Sequence, residues 1–508
     1  MNTKTKVPVG AGFFSGFLVV IGTVVGAAQY DHKIEKEFQV STGGKLIVQA
    51  DRGSIEVNSD ARDKVHVRVL RRVKGGSQAQ ADELFGNHDV TFRQDGNNVS
   101  IIGRNKKDRF RFGSIRQPSL QVRYEISIPK RFDVDLNTSG GDIRLRELEG
   151  AATARTSSGS IELGIISGPV ESSNSGGDIL IANAGGDLVA RTSSGSIKVQ
   201  KARGKVEASN SGGDIQVDEA DKDVVASTSS GSITFKTVQG GVQAKNSGGD
   251  ITIESAGGDV AAKTSSGSIH LGKSKGKRVN AKNSGGDITI GAIEGDVVAQ
   301  TSSGAIKIGV VKGDAELKNS GGQISIGEAG SGVVAETSSG SIEITTAKGK
   351  VEVKNSGGDV RIDEAGGETV VGTSSGSIVI KLATGKVDAR NSGGKIEVND
   401  ARDVVLARTS SGTIIVGLGA PPKADSHLEV SGGDIIVTLP RSAAVDLDAE
   451  SSGGKVVSAI PVTLTVSGEQ KPGSLWGKIN GGGPRLSLRA SSGDIRLNES
   501  TAPTDRGR

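Results

Sequence analysis

Aspartate is the residue whose recurrence in this sequence could support chemistry. An Asn-Ser-Gly-Gly segment returns every 36 residues, with one step of 37, and most copies end in an acid: Asp178, Asp214, Asp250, Asp287 and Asp359. Evenly spaced carboxylates could bind calcium, or could act as acid and base in glycoside hydrolysis. Two copies carry Gln323 and Lys395 at the same place. A site that needs the carboxylate would not accept lysine there.

Three chemistries can be weighed for these rows of polar residues. Calcium-binding rolls use a nonapeptide, and the repeat here is much longer. An ice-binding face needs outward threonines, whereas Thr192 follows an outward residue and should point inward. Successive motif aspartates would lie roughly 9.6 Å apart by strand spacing, close to the separation in inverting glycosidases of about 6.5–9.5 Å. An active site is a single irregular location, however, whereas these aspartates recur in most copies of the repeat. We therefore predict no catalytic, metal or cofactor site and no enzyme.

A second motif, Thr-Ser-Ser-Gly, lies halfway between the copies of the first. It begins at Thr156, Thr192, Thr228, Thr264, Thr301, Thr337, Thr373 and Thr409. The structural unit is therefore about 18 residues, in two alternating forms, and a strict period predicts a solenoid. We predict an all-β, parallel β-solenoid (β-helix) over residues 136–418, with two short strands in each coil.

Residues 249–266 illustrate one predicted coil. Ile251, Ile253, Val260 and Ala262 should face inward, so each coil supplies about four apolar side chains. The Asn or Thr before each turn should satisfy backbone groups of the turn. The glycine of Thr-Ser-Ser-Gly never varies between copies, and we attribute this to a backbone angle that only glycine adopts cheaply.

Composition excludes several classes of protein. Glycine makes up 76 of the 508 residues and aromatic residues only 3%, which is poor material for a globular enzyme. A net charge of +4 is small for this length, so no nucleic-acid partner is expected. Cysteine is absent, which rules out disulfides, thiolate metal sites and a lipid-modified cysteine.

Residues 1–30 resemble a targeting segment. Lys4 and Lys6 precede an uncharged apolar run, and small residues follow it at 26–28. This pattern predicts either a cleaved signal peptide or a retained membrane-anchor helix, with a buried soluble helix as the third alternative. The first two place the rest of the chain outside the cytoplasm, in the cell envelope: membrane-anchored, periplasmic, or at the cell surface and secreted.

Residues 31–135 lack the strict repeat and alternate as half-buried strands do. We predict a β-rich N-terminal cap with one short helix at 78–85. A basic cluster within it predicts contact with an anionic partner such as lipid headgroups or a charged envelope polymer, the alternative being a solvated loop. Its members are Arg104, Lys106, Lys107, Arg109, Arg111 and Arg116.

The outward positions of the second strand alternate between apolar and polar residues up the array. The row is Val189, Glu207, Val225, Gln243, Ala261, Asn280, Val298, Glu316, Val334, Glu352, Val370, Asp388 and Leu406. It indicates either simple β-propensity or a lateral contact surface that allows self-association. Residues 419–508 break the register at Pro421 and Pro422, and we predict an irregular C-terminal β cap there. Trp476 would be a plug over the last coil or, alternatively, a ligand platform.

Several of these motifs together resemble a known family. They are residues 51–57 (DRGSIEV), the SGGDI and TSSGSI rows, residues 477–484 (GKINGGGP) and residues 491–495 (SSGDI). The chain is similar over most of residues 38–498 to a bacterial domain of unknown function named as a putative adhesin with β-strand repeats. That resemblance implies no catalytic residues.

We therefore expect a non-enzymatic, adhesin-like structural protein of the cell envelope. It would present a rigid β-solenoid to a surface, an envelope polymer or a protein partner, and would contact the membrane through residues 1–30 if they are retained. Two alternatives stay open: a glycan-binding or polysaccharide-modifying solenoid, and an envelope-stress regulatory component.

Overall fold

The computed structural model of this protein describes residues 28–106, 118–464 and 471–500. Two facing sheets, A and B, contain 23 strands each, and the chain passes from one to the other in every coil. The parallel β-solenoid is confirmed. The chain begins with β1 (Gln29–Gln39), β2 (Gly44–Ala50), β3 (Ser54–Asp60), β4 (Lys64–Lys74), α1 (Gln78–Asn87), β5 (His88–Asp95), β6 (Asn98–Asn105) and β7 (Ser119–Pro129).

The regular array follows, with even-numbered strands in sheet B and odd-numbered strands in sheet A. Its first half comprises β8 (Phe132–Thr138), β9 (Ile143–Leu148), β10 (Ala152–Thr156), β11 (Ile161–Ile166), β12 (Val170–Asn174), β13 (Ile179–Ala184), β14 (Leu188–Arg191), β15 (Ile197–Ala202), β16 (Val206–Ser209), β17 (Ile215–Ala220), β18 (Val224–Ser227), β19 (Ile233–Val238), β20 (Val242–Lys245), β21 (Ile251–Ala256), β22 (Val260–Lys263), β23 (Ile269–Ser274) and β24 (Arg278–Lys282).

The array continues without a break to residue 439. This part comprises β25 (Ile288–Ile293), β26 (Asp296–Thr301), β27 (Ile306–Val311), β28 (Ala315–Asn319), β29 (Ile324–Ala329), β30 (Val333–Thr337), β31 (Ile342–Ala347), β32 (Val351–Asn355), β33 (Val360–Ala365), β34 (Thr369–Ser375), β35 (Ile378–Ala383), β36 (Val387–Gly393), β37 (Ile396–Ala401), β38 (Val405–Ser411), β39 (Ile414–Leu418), β40 (Ser426–Gly432) and β41 (Ile435–Leu439). The last strands are β42 (Val445–Ser451), β43 (Val456–Ser458), β44 (Ser474–Ile479), β45 (Arg485–Ser492) and β46 (Ile495–Glu499).

Most coils of the array contribute five apolar side chains to the interior, one more than the sequence predicted. In the coil of β21 and β22 the predicted four are buried, and Ala256 is buried with them. In the pairing of β21 with β19, Glu254 has no partner. The inward-facing residue that follows Ile253 is therefore Ala256, three positions later. Ala256 is therefore the last, inward-facing residue of β21, and the chain turns directly after it at Gly257 and Gly258.

One coil contains 19 residues instead of 18, and the extra residue lies in a turn. Ile251 pairs with Ile269, 18 residues on, whereas Val260 pairs with Val279, 19 residues on. Ser274 replaces the buried apolar residue just before this turn. Its hydroxyl donates to the carbonyl oxygen of Gly258 at 3.0 Å and accepts the amide of Gly276 at 3.1 Å. The insertion thus leaves both sheets in register.

The N-terminal end of the stack has an unusual order of coils. The coil of β2 and β3 lies between the coil of β6 and β7 and the coil of β8 and β9, all parallel. Beyond β7, the antiparallel strands β4 and β1 complete sheet A, and β5 completes sheet B. The edge strand β1 alternates charged residues over most of its length, which discourages further strand pairing. The helix predicted at 78–85 is confirmed as α1.

The C-terminal end repeats this order. The final coil of the described chain, β45 and β46, lies between β40–β41 and β42–β43, and antiparallel β44 covers β42. The stack therefore continues across both predicted boundaries, at 135 and 418. No helix of the described residues is long and apolar enough to cross a membrane. Residues 1–27, which hold most of the predicted signal or anchor, lie outside the described residues.

Candidate functional site

The repeated aspartates join neighbouring coils rather than forming a reaction centre. Asp250 Oδ1 accepts the backbone amide of Ser268, one coil later, at 2.7 Å. The same bond recurs from Asp178, Asp214, Asp287 and Asp359, at 2.7–2.8 Å. A carboxylate that accepts a backbone N–H stabilises a turn without any ligand. No group of three His, Cys, Asp or Glu side chains within the described ranges is placed to hold a metal ion.

The Asn and Thr rows point inward, as predicted. Asn246 Nδ2 donates to the carbonyl oxygen of Gly231 at 2.7 Å, and Thr264 Oγ1 donates to that of Gly249 at 3.0 Å. Both side chains are buried. Each therefore satisfies a carbonyl of the preceding coil that would otherwise lack a partner.

The invariant glycines have a different cause from the one predicted. In six of the eight copies the φ angle is not positive; only Gly376 and Gly412 have positive values, 110° and 121°. A Cβ on Gly267 would lie 2.1 Å from the carbonyl oxygen of Gly249. Glycine is required there because stacked turns approach each other closely, not because of a special backbone angle.

The predicted basic cluster is only partly within the described residues. Arg104 is exposed near the end of β6, opposite Asp89, and the Lys106 amide donates to the carbonyl of Asn87 at 2.8 Å. Lys107, Arg109, Arg111 and Arg116 lie outside the described residues. Contact of this cluster with an anionic partner stays a prediction.

A cleft that the sequence did not predict lies next to this region. It has a volume of about 690 Å³ and is formed where β1, β4 and β7 meet the turns at Gly53 and Gly140. Its cationic lining residues are Lys33, Arg52, Arg71, Arg72 and Arg123. Arg72 pairs with Asp31 at 2.7 Å and Arg123 with Glu56 at 2.7 Å. Within the described chain, the exposed Arg52 has no ion-pair partner within 4 Å.

Arg71 is the deepest cation of this cleft, with 7% of its surface exposed. Its Nη1 donates to the carbonyls of Phe85 and His88, both at 2.8 Å, at the C-terminus of α1. Nη2 donates to His32 Nδ1 at 2.8 Å, while Nε has no partner among the described residues. Burial lowers the pKa of Arg71. The helix dipole favours a cation here, but no carboxylate forms an ion pair with it in the described chain.

His88 and Tyr124 complete the buried polar cluster behind the cleft. His88 Nε2 lies 3.4 Å from the Tyr124 hydroxyl, and both side chains are buried. Burial, reinforced by Arg71, lowers the pKa of His88 to about 4, and burial raises the pKa of Tyr124. His88 is therefore neutral at pH 7. This pair holds β5 against β7 and is closed to a substrate.

One sequence signal could have identified this cluster. In β4 the inward positions are Val65, Val67, Val69, then Arg71, then Val73. An arginine in the apolar phase of an alternating strand must be buried, and burial of a cation requires compensation. The cleft can bind an anion through Arg52 and the exposed edge of its lining.

Comparisons with known proteins identify a family and several similar structures. The profile of Toastrack DUF4097 matches residues 44–240, 236–399 and 312–498. Comparison with curated proteins gave no match. A putative cell adhesion protein from Clostridium sporogenes is 7% identical, with 93% of this chain and 100% of that chain covered and a TM-score of 0.15.

Two further solved structures are similarly remote. A putative adhesin from Bacteroides fragilis is 17% identical, with 64% of this chain and 97% of that chain covered and a TM-score of 0.13. A putative lipid binding protein from Parabacteroides distasonis is 14% identical, with 72% and 96% covered and a TM-score of 0.16. At these TM-scores the superpositions carry no argument about function.

Proposed function

The chain belongs to the Toastrack DUF4097 family, and we propose that it is a non-enzymatic, adhesin-like rod of the cell envelope. Its N-terminal end would lie against an anionic surface, and its coils would extend away from that surface. The observation that carries the proposal is the arginine-lined cleft, because it lies at the end of the stack where residues 1–27 join.

The elongated stack of coils supports a role in extending away from a surface rather than in enclosing a ligand. The coils from β8–β9 to β40–β41 number seventeen and stack without interruption. At about 4.8 Å per coil this array is roughly 80 Å long. Its outward row pairs as predicted, since Val225 is aligned with Glu207 on one side and Gln243 on the other. A self-association surface along this row stays a prediction.

The position of the cleft supports attachment at the N-terminal end. The carbonyl of Ala28, the first described residue, accepts the amide of Gly75 at 2.8 Å. Asp31 and His32, a few residues later, line the cleft itself. Ala28 therefore lies against Gly75, and the cleft begins three residues further along the chain, at Asp31. Basic residues next to an anionic membrane surface contribute about 1 kcal/mol each to membrane attraction.

Cell fractionation of the full chain tests this proposal. We expect the protein in the envelope fraction, and we expect protease added to intact cells to cleave it if the rod reaches the outside. Recovery of the folded protein in the cytoplasm would overturn the proposal. Recovery of the protein in a periplasmic pool that is protected from protease would support a rod in the envelope but contradict adhesin-like contact outside the cell.

One alternative has a specific observation in its favour. Glycan binding is supported by the surroundings of Trp476, at the opposite end of the stack from the arginine cleft. The regulatory alternative, acting through the basic cluster, stays an untested prediction.

A further inference from the structure

The C-terminal end of the rod carries an exposed aromatic ring beside charged groups. A shallow pocket of about 540 Å³ is lined by Asp425, Asp446, Leu447, Asp448, Trp476, Gly483 and Arg485. We propose that this pocket binds a neutral oligosaccharide, with Trp476 as the platform for one sugar ring. The proposal is independent of the attachment of the N-terminal end.

Trp476 is not the plug that the sequence suggested. Its side chain is on the outer face of the sheet, and 59% of the residue is exposed. A plug over a core would be buried, whereas an exposed indole with one free face can stack on the C–H face of a sugar. Trp476 is also the only tryptophan of the chain. A single exposed apolar side chain is common on protein surfaces, so it is the groups around the ring that indicate an occupant.

The ring is held in place by a buried carboxylate. Trp476 Nε1 donates to Asp448 Oδ1 at 3.0 Å, and the two residues are opposite each other in the pairing of β44 with β42. Asp448 is 9% exposed, and its Oδ2 accepts Arg489 Nη2 at 2.7 Å. The bond from Arg489 holds the pKa of Asp448 below its usual range. The acceptor therefore stays ionised at neutral pH and fixes the plane of the indole.

Polar groups beside the ring have unused hydrogen-bonding capacity. Asp446 Oδ1 accepts the amide of Gly483 at 3.3 Å, and Asp425 Oδ1 accepts the amide of Arg485 at 2.8 Å. In the described chain, Oδ2 of each of these aspartates has no hydrogen-bond partner. The Arg485 guanidinium lies 3.3 Å from Asp448 and keeps further N–H donors. Two fixed acceptors and one donor beside an aromatic face match the alternating hydroxyls of a sugar.

The charge of the pocket selects among ligands with hydroxyl groups. Asp425, Asp446 and Asp448 outnumber the cations Arg485 and Arg489. A polyanion would be repelled by the two free carboxylate oxygens, and an apolar peptide would leave them unpaired, which costs binding free energy. A neutral oligosaccharide has no charge to be repelled, and its hydroxyl groups can pair with the free carboxylate oxygens. The location, about seventeen coils from the arginine cleft, separates this site from the anionic surface proposed for the other end.

Tryptophan fluorescence of the full chain tests the proposal directly, because the signal comes from one residue. Hexasaccharides of cellulose, starch and chitin are titrated into the protein, with polygalacturonate as the anionic probe. We expect a saturable change in emission with at least one neutral hexasaccharide and none with polygalacturonate. Failure of all three neutral probes to change the emission overturns the proposal, and so does saturable binding of polygalacturonate.

Variants then locate the site by calorimetric titration, which does not depend on the fluorophore. Trp476→Ala should weaken binding by about tenfold or more, as the loss of one stacking contact would. Asp446→Asn, which is exposed and keeps the size of the side chain, should weaken it by a smaller factor. Val457→Ala is the matched control, since Val457 is 54% exposed near the same end of the chain. Unchanged affinity in Trp476→Ala, or an equal loss in Val457→Ala, contradicts the assignment.

Discussion

Asn246 and Gly231 are joined across neighbouring coils by a hydrogen bond of 2.7 Å from the side-chain amide to the backbone carbonyl. The oxygen of the same side chain accepts the amide of Gly248 at 3.2 Å, so one asparagine satisfies two turns. The bond recurs at every Asn-Ser-Gly-Gly copy of the array. The interior of the solenoid is consequently apolar at its centre and hydrogen-bonded along one edge.

Replacing this asparagine tests how much that edge contributes. Asn246→Ala leaves the buried carbonyl of Gly231 without its partner, at a cost of about 1–3 kcal/mol in local stability. We expect faster amide hydrogen exchange in the coils that contain residues 228–256. Asn246→Thr should cost much less, because Thr138 occupies the same place before a Ser-Gly-Gly turn and donates to Gly53 at 2.9 Å. Equal exchange in the two variants would contradict the role of this bond.

The glycines of the Thr-Ser-Ser-Gly turns should tolerate no side chain. In Gly267→Ala the added Cβ would lie 2.1 Å from the carbonyl oxygen of Gly249, so the two turns must separate. We expect a destabilisation of about 1–3 kcal/mol, as overpacking typically causes. Gly372→Ala is the control, because a Cβ there meets nothing within 4 Å. Urea unfolding should place the midpoint of Gly372→Ala at or above that of the unchanged protein, and that of Gly267→Ala below it.

The N-terminal end should lose stability in mild acid because of His88. Its folded pKa of about 4 lies below the ordinary value of about 6.5. Between these values the unfolded state binds more protons, so stability is fully present above pH 6.5 and decreases as pH falls towards 4. The free energy of unfolding decreases by about 3 kcal/mol over this pH range. Hydrogen exchange in β4 to β7 at pH 7 and pH 4.5, corrected for intrinsic rates, measures it.

A variant pair isolates the histidine from other groups that titrate in acid. His88→Gln keeps a group that can bond to Tyr124 but removes the proton site, so the difference between the two pH values should shrink. His270→Gln changes an exposed histidine of the array and should leave the difference as it is. A pH dependence that is the same in both variants would exclude His88 as its source.

The order of coils at the C-terminal end predicts the effect of truncation. Deleting residues 485–508 removes β45 and β46, on which both β40–β41 and β42–β43 are stacked. The strands β42 to β44 then have no coil to pack on, and limited proteolysis should remove residues 440–484. Deleting only residues 501–508 should leave the fragment pattern unchanged. Survival of residues 440–484 in the shorter chain would contradict this arrangement.

Binding to vesicles tests the arginine cleft separately from residues 1–27, which are omitted here because an apolar segment binds lipid by itself. Arg52→Glu reverses an exposed charge without breaking an ion pair and should reduce co-sedimentation with phosphatidylglycerol vesicles several-fold. Arg203→Glu, an exposed arginine of the array that forms no ion pair in the described chain, is the matched control. Equal losses of vesicle binding in the two variants, or equal binding of the unchanged protein to vesicles of phosphatidylcholine alone, would contradict a role of the cleft in binding anionic lipid.

The array was predictable from sequence because its interior obeys a simple period. Ile251 and Ile253 alternate as in any half-buried strand, and the repeat shows where each coil begins. The fifth inward residue, Ala256, was not predictable in this way, since the bend at Glu254 changes the phase of the alternation. The close approach at Gly267 is a relation between two coils, and a pattern within one coil cannot show it.

The candidate sites were harder to predict because both depend on strands that are distant in sequence. The arginine cleft joins Arg52, Arg71 and Arg123 through a coil order in which β2 lies between β6 and β8. Trp476 meets Asp448 only because β44 runs antiparallel to β42. Neither order follows from periodicity, since the end coils interrupt the period.

The alternation of two 18-residue forms has a consequence for how such genes change. Unequal recombination between near-identical segments would add or remove one pair, 36 residues, and the flanking coils would meet the same neighbours as before. Each event would alter the distance between the two ends by roughly 9.6 Å. Loss of a single 18-residue form would instead place two coils of the same form side by side, for example two that carry Val in the outward row. Selection that maintains the alternation of apolar and polar residues along this row should therefore preserve whole pairs.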